Sequence, residues 1–429
     1  MPRSLLRNAW NRSLPLQRKP RWWTATVLRR LLWRTRFIAI TGSNGKSTVT
    51  RVLAEVLAVD APTQWTRINR NGEDGVTETI AFCNPFKTRY AVFEVGAGTP
   101  GKVKKLGRLI RPDIAVVLSV FLEHRASLHS LRGVAAEKAS LLEELAPEGI
   151  AVLNADDGYV AEMAVPEGRK TVRFGGGAAN DFSFENVESA WPQLLRFTAV
   201  AGGQRQDIRT RLLGTHWAGP ILASIAVARQ LGLPFERIAE SIASVPPYPG
   251  RMQVVNLPSG AVAIRDEFKG STHTIAVALK ELEKAEARRK FIVLGDVAES
   301  SHSPRKRLER LGKQAAAHAD FVVFVGDKAA HGVRGAIKAG LDERHALAFA
   351  NHQEAAPFLA SSLKGGDIVL FKADRNRQLT RLFYSLLGEV RCAVPTCSKT
   401  MVCDECPEFK NPGLVRQVNA HLTAPLRCD

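Results

Sequence analysis

Six cysteines in 429 residues are too few for a secreted disulfide framework, and four of them fall within Cys392–Cys406. A reducing cytoplasm is the expected compartment. Residues 1–36 contain no Asp or Glu, yet they hold ten Lys and Arg. No apolar run reaches the roughly 18 residues that a spanning helix needs. No short apolar segment with a small-residue cleavage site marks a secretory leader. What remains is an ordinary globular composition, 45% apolar, in a chain long enough for two or three domains with a sizeable core. Of the net charge of +18, about +8 belongs to the body after the basic arm. That balance suits acidic substrates such as amino acids or peptides.

The arm, residues 1–36, also holds Trp10, Trp22, Trp23 and Trp33, four of the seven tryptophans. In the stretch RWWTATVLRRLLWRTR, helical spacing lets Trp23, Val27, Leu28, Leu31 and Leu32 share one face. Such a helix suits an anionic membrane surface, with apolar side chains in the interface and cations on the headgroups. Packing on the protein body, phosphate contacts to nucleic acid and an Arg-rich targeting segment are the competing readings. The membrane surface is the partner expected here, on the inner face, and nucleic acid is not.

From Phe37 onward, apolar strand-like runs alternate with helical patterns. Strands are expected at Phe37–Thr41, Tyr90–Val95, Ile114–Ser119 and Ile150–Leu153, and helices at Lys46–Ala58 and Gly133–Leu145. This alternation predicts a parallel α/β architecture. The breaker cluster PPYPGRM, Pro246–Met252, reads as a domain junction. Beyond it the alternation resumes at Ala261–Ile264, Thr274–Glu283, Phe291–Leu294, Phe321–Val325 and Ile368–Phe371. The tail from Arg391 has little periodicity. Its cysteines, Cys392, Cys397, Cys403 and Cys406, fit one Zn²⁺ with four thiolates, an iron–sulfur cluster or free thiols. A bound metal would fix a segment too poor in apolar residues to fold alone.

The segment FIAITGSNGKSTVTRVLAEVL joins a strand, a tight turn of small residues and a helix. The amides of Asn44–Ser47 then lie at a helix N-terminus, where unpaired N–H groups and the helix dipole favour an anion. Lys46 is placed to reach the β- and γ-phosphates of a nucleotide, and the Ser47 hydroxyl to hold Mg²⁺. The spacing is shorter than the usual G-x-x-x-x-G-K-[ST] loop, because Ile40 stands where the first glycine belongs. Glu94 ends a strand, where α/β sheets line their ligand crevice, and is a candidate second Mg²⁺ ligand. His124 follows the run IAVVLSV, and Lys138 sits on a charged helix. By themselves both read more simply as a loop histidine and a solvated lysine.

Taken together and in order, these segments resemble the Mur ligase family of ATP-dependent amide-forming ligases. The family's loop, T-G-x-N-G-K-[ST], appears as Thr41-Gly42-Ser43-Asn44-Gly45-Lys46-Ser47. FEVGAGTPG, RPDIAVVLSV with His124, AAEKASLLEELAPEGIAVLNADD, PYPGRMQV, VLGDVAE and LKGGDIVLFKADRNRQL resemble further family segments, from about Phe37 to Leu387. They are most similar to the branch that adds D-alanyl-D-alanine to a muramoyl tripeptide.

The resemblance implies ATP and Mg²⁺ as cofactors. Gly42, Asn44, Gly45, Lys46, Ser47 and Thr48 would form the nucleotide loop. Ser47 and Glu94 would hold one Mg²⁺ and His124 a second. Lys138 falls on a lysine that many members carry carbamoylated near that metal, which places Lys46, Lys138 and His124 in the catalytic set. Arg251 would meet the nucleotide from the junction, Asp266 would hold its ribose, and Asn154 matches a strand asparagine.

The chain also departs from the family pattern. The G-x-H-N-x-x-N helix start appears as Gly214–Pro220, with Trp217 and Pro220 replacing both asparagines. The segment DEFKGST carries Lys269 and Ser271 where asparagines stand, which implies a different acceptor specificity. Only 36 residues precede Phe37, where the strand that leads into the loop begins. The expectation is therefore a chain without the family's uridine-diphosphate-binding domain and not suited to a UDP-sugar muropeptide.

The expected fold is α/β: a P-loop parallel-sheet ATPase domain at 37–247, then a Rossmann-like domain at 248–389, flanked by the arm at 1–36 and the tail at 390–429. The expected function is an ATP-dependent carboxylate–amine ligase working through an acyl phosphate. A membrane-associated polymer ligase like poly-γ-glutamate synthase and a non-catalytic nucleotide-binding regulatory module are the alternatives.

Overall fold

The computed structural model describes residues 22–67, 70–122, 125–295, 303–374, 379–392, 394, 397, 403–409 and 411–421. Two sheets organise the chain. The first has nine strands: β1 (Arg36–Thr41), β2 (Thr63–Trp65), β3 (Tyr90–Glu94), β4 (Ile114–Val117), β5 (Ile150–Asn154), β6 (Lys170–Gly175), β7 (Phe182–Ala190), β8 (Gln193–Ala201) and β9 (Gln204–Arg209). Their order is β2-β3-β1-β4-β5-β6-β7-β8-β9. The strands from β2 to β7 pair in parallel, and β7, β8 and β9 close the edge as antiparallel hairpins. β1, β3 and β4 are buried almost throughout, as expected of parallel strands covered on both faces.

Helix α1 (Trp22–Leu31), α2 (Lys46–Asp60), α3 (Glu73–Phe82), α4 (Lys102–Ile110), α5 (Leu131–Ala139), α6 (Ala218–Gln230) and α7 (Phe235–Ser244) provide that cover. One core forms where α2, α6 and α7 meet Ile38, Ile40, Val92 and Val116. The other joins α1, α3, α4 and α5 to Phe37, Ala39, Phe93 and Val117. Successive strand residues point to opposite sides of the sheet, which is why Phe37 and Ile38 enter different cores.

The second sheet is β10 (Gln253–Asn256), β11 (Val262–Asp266), β12 (Arg289–Leu294), β13 (Phe321–Val325), β14 (Ala346–Phe349) and β15 (Asp367–Lys372), ordered β10-β11-β15-β12-β13-β14. All pairs are parallel except β10 with β11. Helices α8 (Thr272–Lys284), α9 (Pro304–Ala316), α10 (Ala329–Lys338), α11 (His352–Ser362) and α12 (Leu379–Ser385) flank it. The α/β fold expected from the sequence is thus present in both sheets. The breaker cluster Pro246–Met252 lies between the first sheet's last helix and β10.

Two expectations are corrected. The five apolar residues assigned to one face of α1 divide between two. Ala25 and Leu32 are buried and Leu28 packs beside them, while Trp23, Val27 and Leu31 face outward. Arg29 anchors the packed side through Nε to Ile110 O, 2.6 Å.

The described residues of the cysteine tail are held by ion pairs and apolar packing. Among the described residues, no group of three or more His, Cys, Asp or Glu is placed to hold a metal, so zinc at Cys392, Cys397, Cys403 and Cys406 is not supported. Burial pushes the Cys403 thiol up to about 12. The tail is fastened by buried Arg265, which donates to both oxygens of Asp404, each at 3.0 Å, and to Glu267 Oε1 at 2.7 Å. Tyr384 donates its hydroxyl to Asp404, 2.7 Å. Phe409 and Val418, the latter in α13 (Pro412–His421), complete the same core. Among the described residues no helix is long and apolar enough to cross a membrane.

Candidate active site at the phosphate loop

The loop between β1 and α2 has the geometry of an anion cradle. Gly45 precedes α2 with φ 83°, and no side chain among the described residues caps the helix. Gly42 runs so close to the next strand that a Cβ there would stand 2.8 Å from Leu118 Cβ. Ser119 braces the turn, accepting from Asn44 N through Oγ (3.1 Å) and from Ser43 N through its carbonyl (2.9 Å). Ser43 Oγ accepts from Phe121 N, 2.8 Å. Lys46 folds back over the loop and donates to the Gly42 and Ser43 carbonyls. Ser47 lies partly open in the first turn of α2, and Thr48 is buried behind it.

Register brings the acid to the loop. β1 pairs with β3 so that Ile40 lies opposite Glu94, level with the start of the turn. Glu94 is only 5% exposed. Asn71 donates to its Oε1 (3.0 Å), and Thr66 Oγ1 accepts from its backbone N (2.7 Å). Lys138 is buried in α5, 2% exposed, and so is not the solvated lysine its charged neighbours imply. Beside it, Glu137 accepts from Gly101 N and Val103 N at the start of α4, both at 2.7 Å. Asn154 donates to Leu118 O, 2.8 Å, tying β5 to the strand that braces the loop. His124 lies outside the described residues.

The second sheet contributes from across the cleft. Asp266 ends β11 and accepts from Lys372, at the end of β15, and from Met252 N (3.2 Å). Burial raises the Asp266 carboxyl and lowers the Lys372 ammonium, and the pairing between them opposes both shifts. Lys372 also donates to Lys269 O, 2.7 Å. Lys269 then reaches the loop itself, donating to Ser43 O (3.1 Å) and Asn44 Oδ1 (3.2 Å). The Arg251 guanidinium lies 4.3 Å from the centre of the Phe268 ring. Phe121 stacks on His273 of α8 at 4.0 Å. The substituted helix start also meets the loop: Pro220 Cγ lies 3.3 Å from where a Gly45 Cβ would stand, and Trp217 is buried with His216 against it.

Lys46, Ser47, Glu94, Asn154, Asp266 and Lys269 are thus gathered around two facing strand ends. Asn71, Ser119 and the reach of Lys269 escaped the sequence reading. Asn71 stands in a short irregular segment with no pattern, and Ser119 is one small residue after a strand. In the sequence Lys269 stands out only as a departure from the family pattern.

Residues 40–228 match the Mur ligase middle domain, and residues 250–375 match the Mur ligase, glutamate ligase domain. The chain belongs to the Mur ligase family. Among its relatives is the UDP-N-acetylmuramoyl-tripeptide–D-alanyl-D-alanine ligase of Escherichia coli K12, 30% identical over 301 residues, which take in 70% of this chain and 66% of that protein. The enzyme of the same name from Mycobacterium tuberculosis H37Rv is 28% identical over 375 residues, 83% of this chain and 73% of that protein. A crystal structure of MurF from Acinetobacter baumannii superposes with a TM-score of 0.78 at 25% identity, covering 85% of this chain and 79% of that one. The resemblance to this ATP-dependent ligase family, and to its D-alanyl-D-alanine-adding branch, therefore holds.

Proposed function

We propose that this Mur ligase family chain is an ATP-dependent carboxylate–amine ligase that joins peptide-type substrates through an acyl phosphate. The observation that carries the reading is the uncapped N-terminus of α2, with Gly45 left-handed and the Glu94 carboxylate level with it on the neighbouring strand. The first feature binds a phosphate chain. The second, with the Ser47 hydroxyl, supplies the hard oxygen donors that Mg²⁺ takes. Mg²⁺ bound there would screen phosphate charge, and His124 is the candidate ligand for a second ion.

In this reading ATP is a substrate held by Gly42, Asn44, Gly45, Lys46, Ser47 and Thr48. The oxygen of a substrate carboxylate attacks the γ-phosphorus, the bond to the bridging oxygen breaks, and ADP leaves. Lys46 and Lys269 offset the negative charge that develops on the transferring group. A substrate amine then attacks the acyl carbon, inorganic phosphate departs, and a proton is lost from nitrogen as the amide forms. Lys138, buried in α5, is the positioning candidate. Asp266 accepts once at each oxygen from protein donors, which leaves lone pairs for ribose hydroxyls, and Arg251 stands beside it. Closing the cleft keeps water from hydrolysing the acyl phosphate. A reaction that uses ATP fits work in the cytoplasm.

Phosphate release from ATP and Mg²⁺, measured with pools of amino acids and short peptides and with hydroxylamine as a trap, tests the proposal. Acid-dependent phosphate release with hydroxamate formation is expected, and Lys46→Ala and Lys138→Ala should lose both. Nucleotide binding with no turnover across broad pools would sink it in favour of a regulatory module.

A further inference from the structure

We propose that α1 and the turn at residues 84–88 form one face that docks the protein on an anionic phospholipid bilayer. Four large apolar side chains stand outward within eleven residues: Trp23 (64% exposed), Val27, Leu31 and Trp33 (75%). The first three recur every fourth position and so form a stripe along α1. A fifth comes from a separate part of the chain, Phe86, which is 86% exposed. The two segments are laced together: Thr35 Oγ1 donates to Thr88 O (2.8 Å), Arg36 N to Arg89 O (2.8 Å), and Arg89 to Arg34 O (3.2 Å). Exposed cations sit among the rings, Arg30, Arg34 and Lys87, and the Arg34 guanidinium lies 4.6 Å from the Trp33 ring centre.

This face is presented rigidly, because the opposite side of α1 is built into the core through Ala25, Leu28 and Leu32. Its composition selects the occupant. Trp and Phe flanked by Arg and Lys suit the headgroup level of a bilayer, where ring bodies enter the apolar zone and cations meet phosphates. Residues 1–21 add six more Lys and Arg and no acid, so the complementary surface is anionic. A nucleic acid would use the cations and aromatic rings but leave Val27 and Leu31 without a partner.

Orientation agrees with access to the site. The Trp33–Phe86 end of the face lies at the N-terminal ends of β1 and β3, whereas the phosphate loop and Glu94 lie at their C-terminal ends; from there α1 runs back along α4, from Arg29 on Ile110 O to Trp22 beside Lys105. Six residues at about 3.3 Å each separate them by roughly 20 Å. Contact made through the Trp33–Phe86 end therefore leaves the loop clear of the lipid.

The full chain should sediment with sucrose-loaded vesicles of phosphatidylglycerol and phosphatidylcholine, and at least tenfold less with phosphatidylcholine alone. The triple variant W23S/W33S/F86S should retain the wild-type melting temperature, since all three side chains are exposed, and lose at least tenfold in affinity for the anionic vesicles. Binding by the variant as tight as wild type would overturn the proposal, because the charge of the arm alone would then account for it. So would tight binding of duplex RNA with none to vesicles. A dimer in sedimentation that the triple variant disperses, again without vesicle binding, would assign the face to a second copy instead.

Discussion

His216 is enclosed by Trp217 and by the second sheet's cations. Burial, with repulsion from Lys372, His273 and Lys284, pushes its pKa down to about 3. Its Nδ1 has no hydrogen-bond partner among the described residues, so the neutral ring is the form the fold accepts. In the unfolded chain the same ring titrates near 6.5. Between these values the unfolded state holds the extra proton, and stability must rise with pH across that window. Acidification from pH 7.5 to 5 should therefore remove about 2 kcal/mol through this residue alone, at about 1.4 kcal/mol per pH unit below 6.5. Denaturant unfolding of wild type and His216→Asn at both pH values isolates the effect. The variant should lose about 2 kcal/mol less than wild type on acidification, and equal losses would show that His216 is not the titrating group. Above pH 7 the ring is neutral in both states and contributes no slope.

At the scale of the element, α1 divides into a packed side and an outward side. Leu32, just beyond its last turn, is 1% exposed within the second core, and Leu31 is 54% exposed. Leu32→Ala should cost about 2–5 kcal/mol by leaving a cavity, whereas Leu31→Ala should stay within about 0.5 kcal/mol. Thermal melts of the pair decide it, and similar losses would contradict this division. The tail provides a second case. Asp404→Ala would leave the Arg265 guanidinium buried with half its ionic partners gone, a change worth about 3–5 kcal/mol. A chelator, by contrast, should leave the melting temperature of the wild type unchanged.

These two elements also show where sequence reading reaches its limit. The run Phe37–Thr41 and the glycine turn after it were legible because strand, turn and helix start are all local. The spacing C-x-x-C invited a metal for the same reason, but the contact that holds the tail joins Arg265 to Asp404 across 139 residues, and no local pattern announces it. The hairpins β7 to β9 were missed because their outward positions carry Glu185, Glu188, Arg196 and Arg205, which dilute the apolar signal. In α1, helical spacing revealed which residues could be neighbours but not which side would find a core.

On the scale of the whole molecule, the two sheets meet at several places, among them the Phe121–His273 stack and the hydrogen bond from Thr215 to Glu281, and one chain of contacts runs to the phosphate loop. Asp266 holds Lys372, Lys372 holds the carbonyl of Lys269, and the Lys269 ammonium rests on the phosphate loop of the other sheet. A cation delivered from one domain to the loop of the other couples closure to charge. An opening of the cleft would carry the ammonium away with its own sheet, and closure would return the positive charge to the loop. If the γ-phosphoryl group transfers in the closed form, the contact is strongest where negative charge accumulates, and it should act on kcat more than on nucleotide binding. Lys269→Ala should lower kcat by about 10²–10³, the scale of losing one charge-stabilising donor, with ATP affinity changed only a few-fold. Lys269→Arg should recover part of the rate, because the charge is kept while the fork is larger than the ammonium it replaces. The contact of Lys269 with the loop is lost in Lys269→Ala and kept in Lys269→Arg, so any rise in the scattering-derived radius of gyration should appear in the first variant and not in the second. A fall in ATP affinity that matches the fall in rate would instead make Lys269 a uniform binding group, present on the nucleotide before and during transfer alike, and the contacts that remain between the sheets, such as the Phe121–His273 stack and the Thr215–Glu281 hydrogen bond, would hold the cleft without coupling it to charge at the loop.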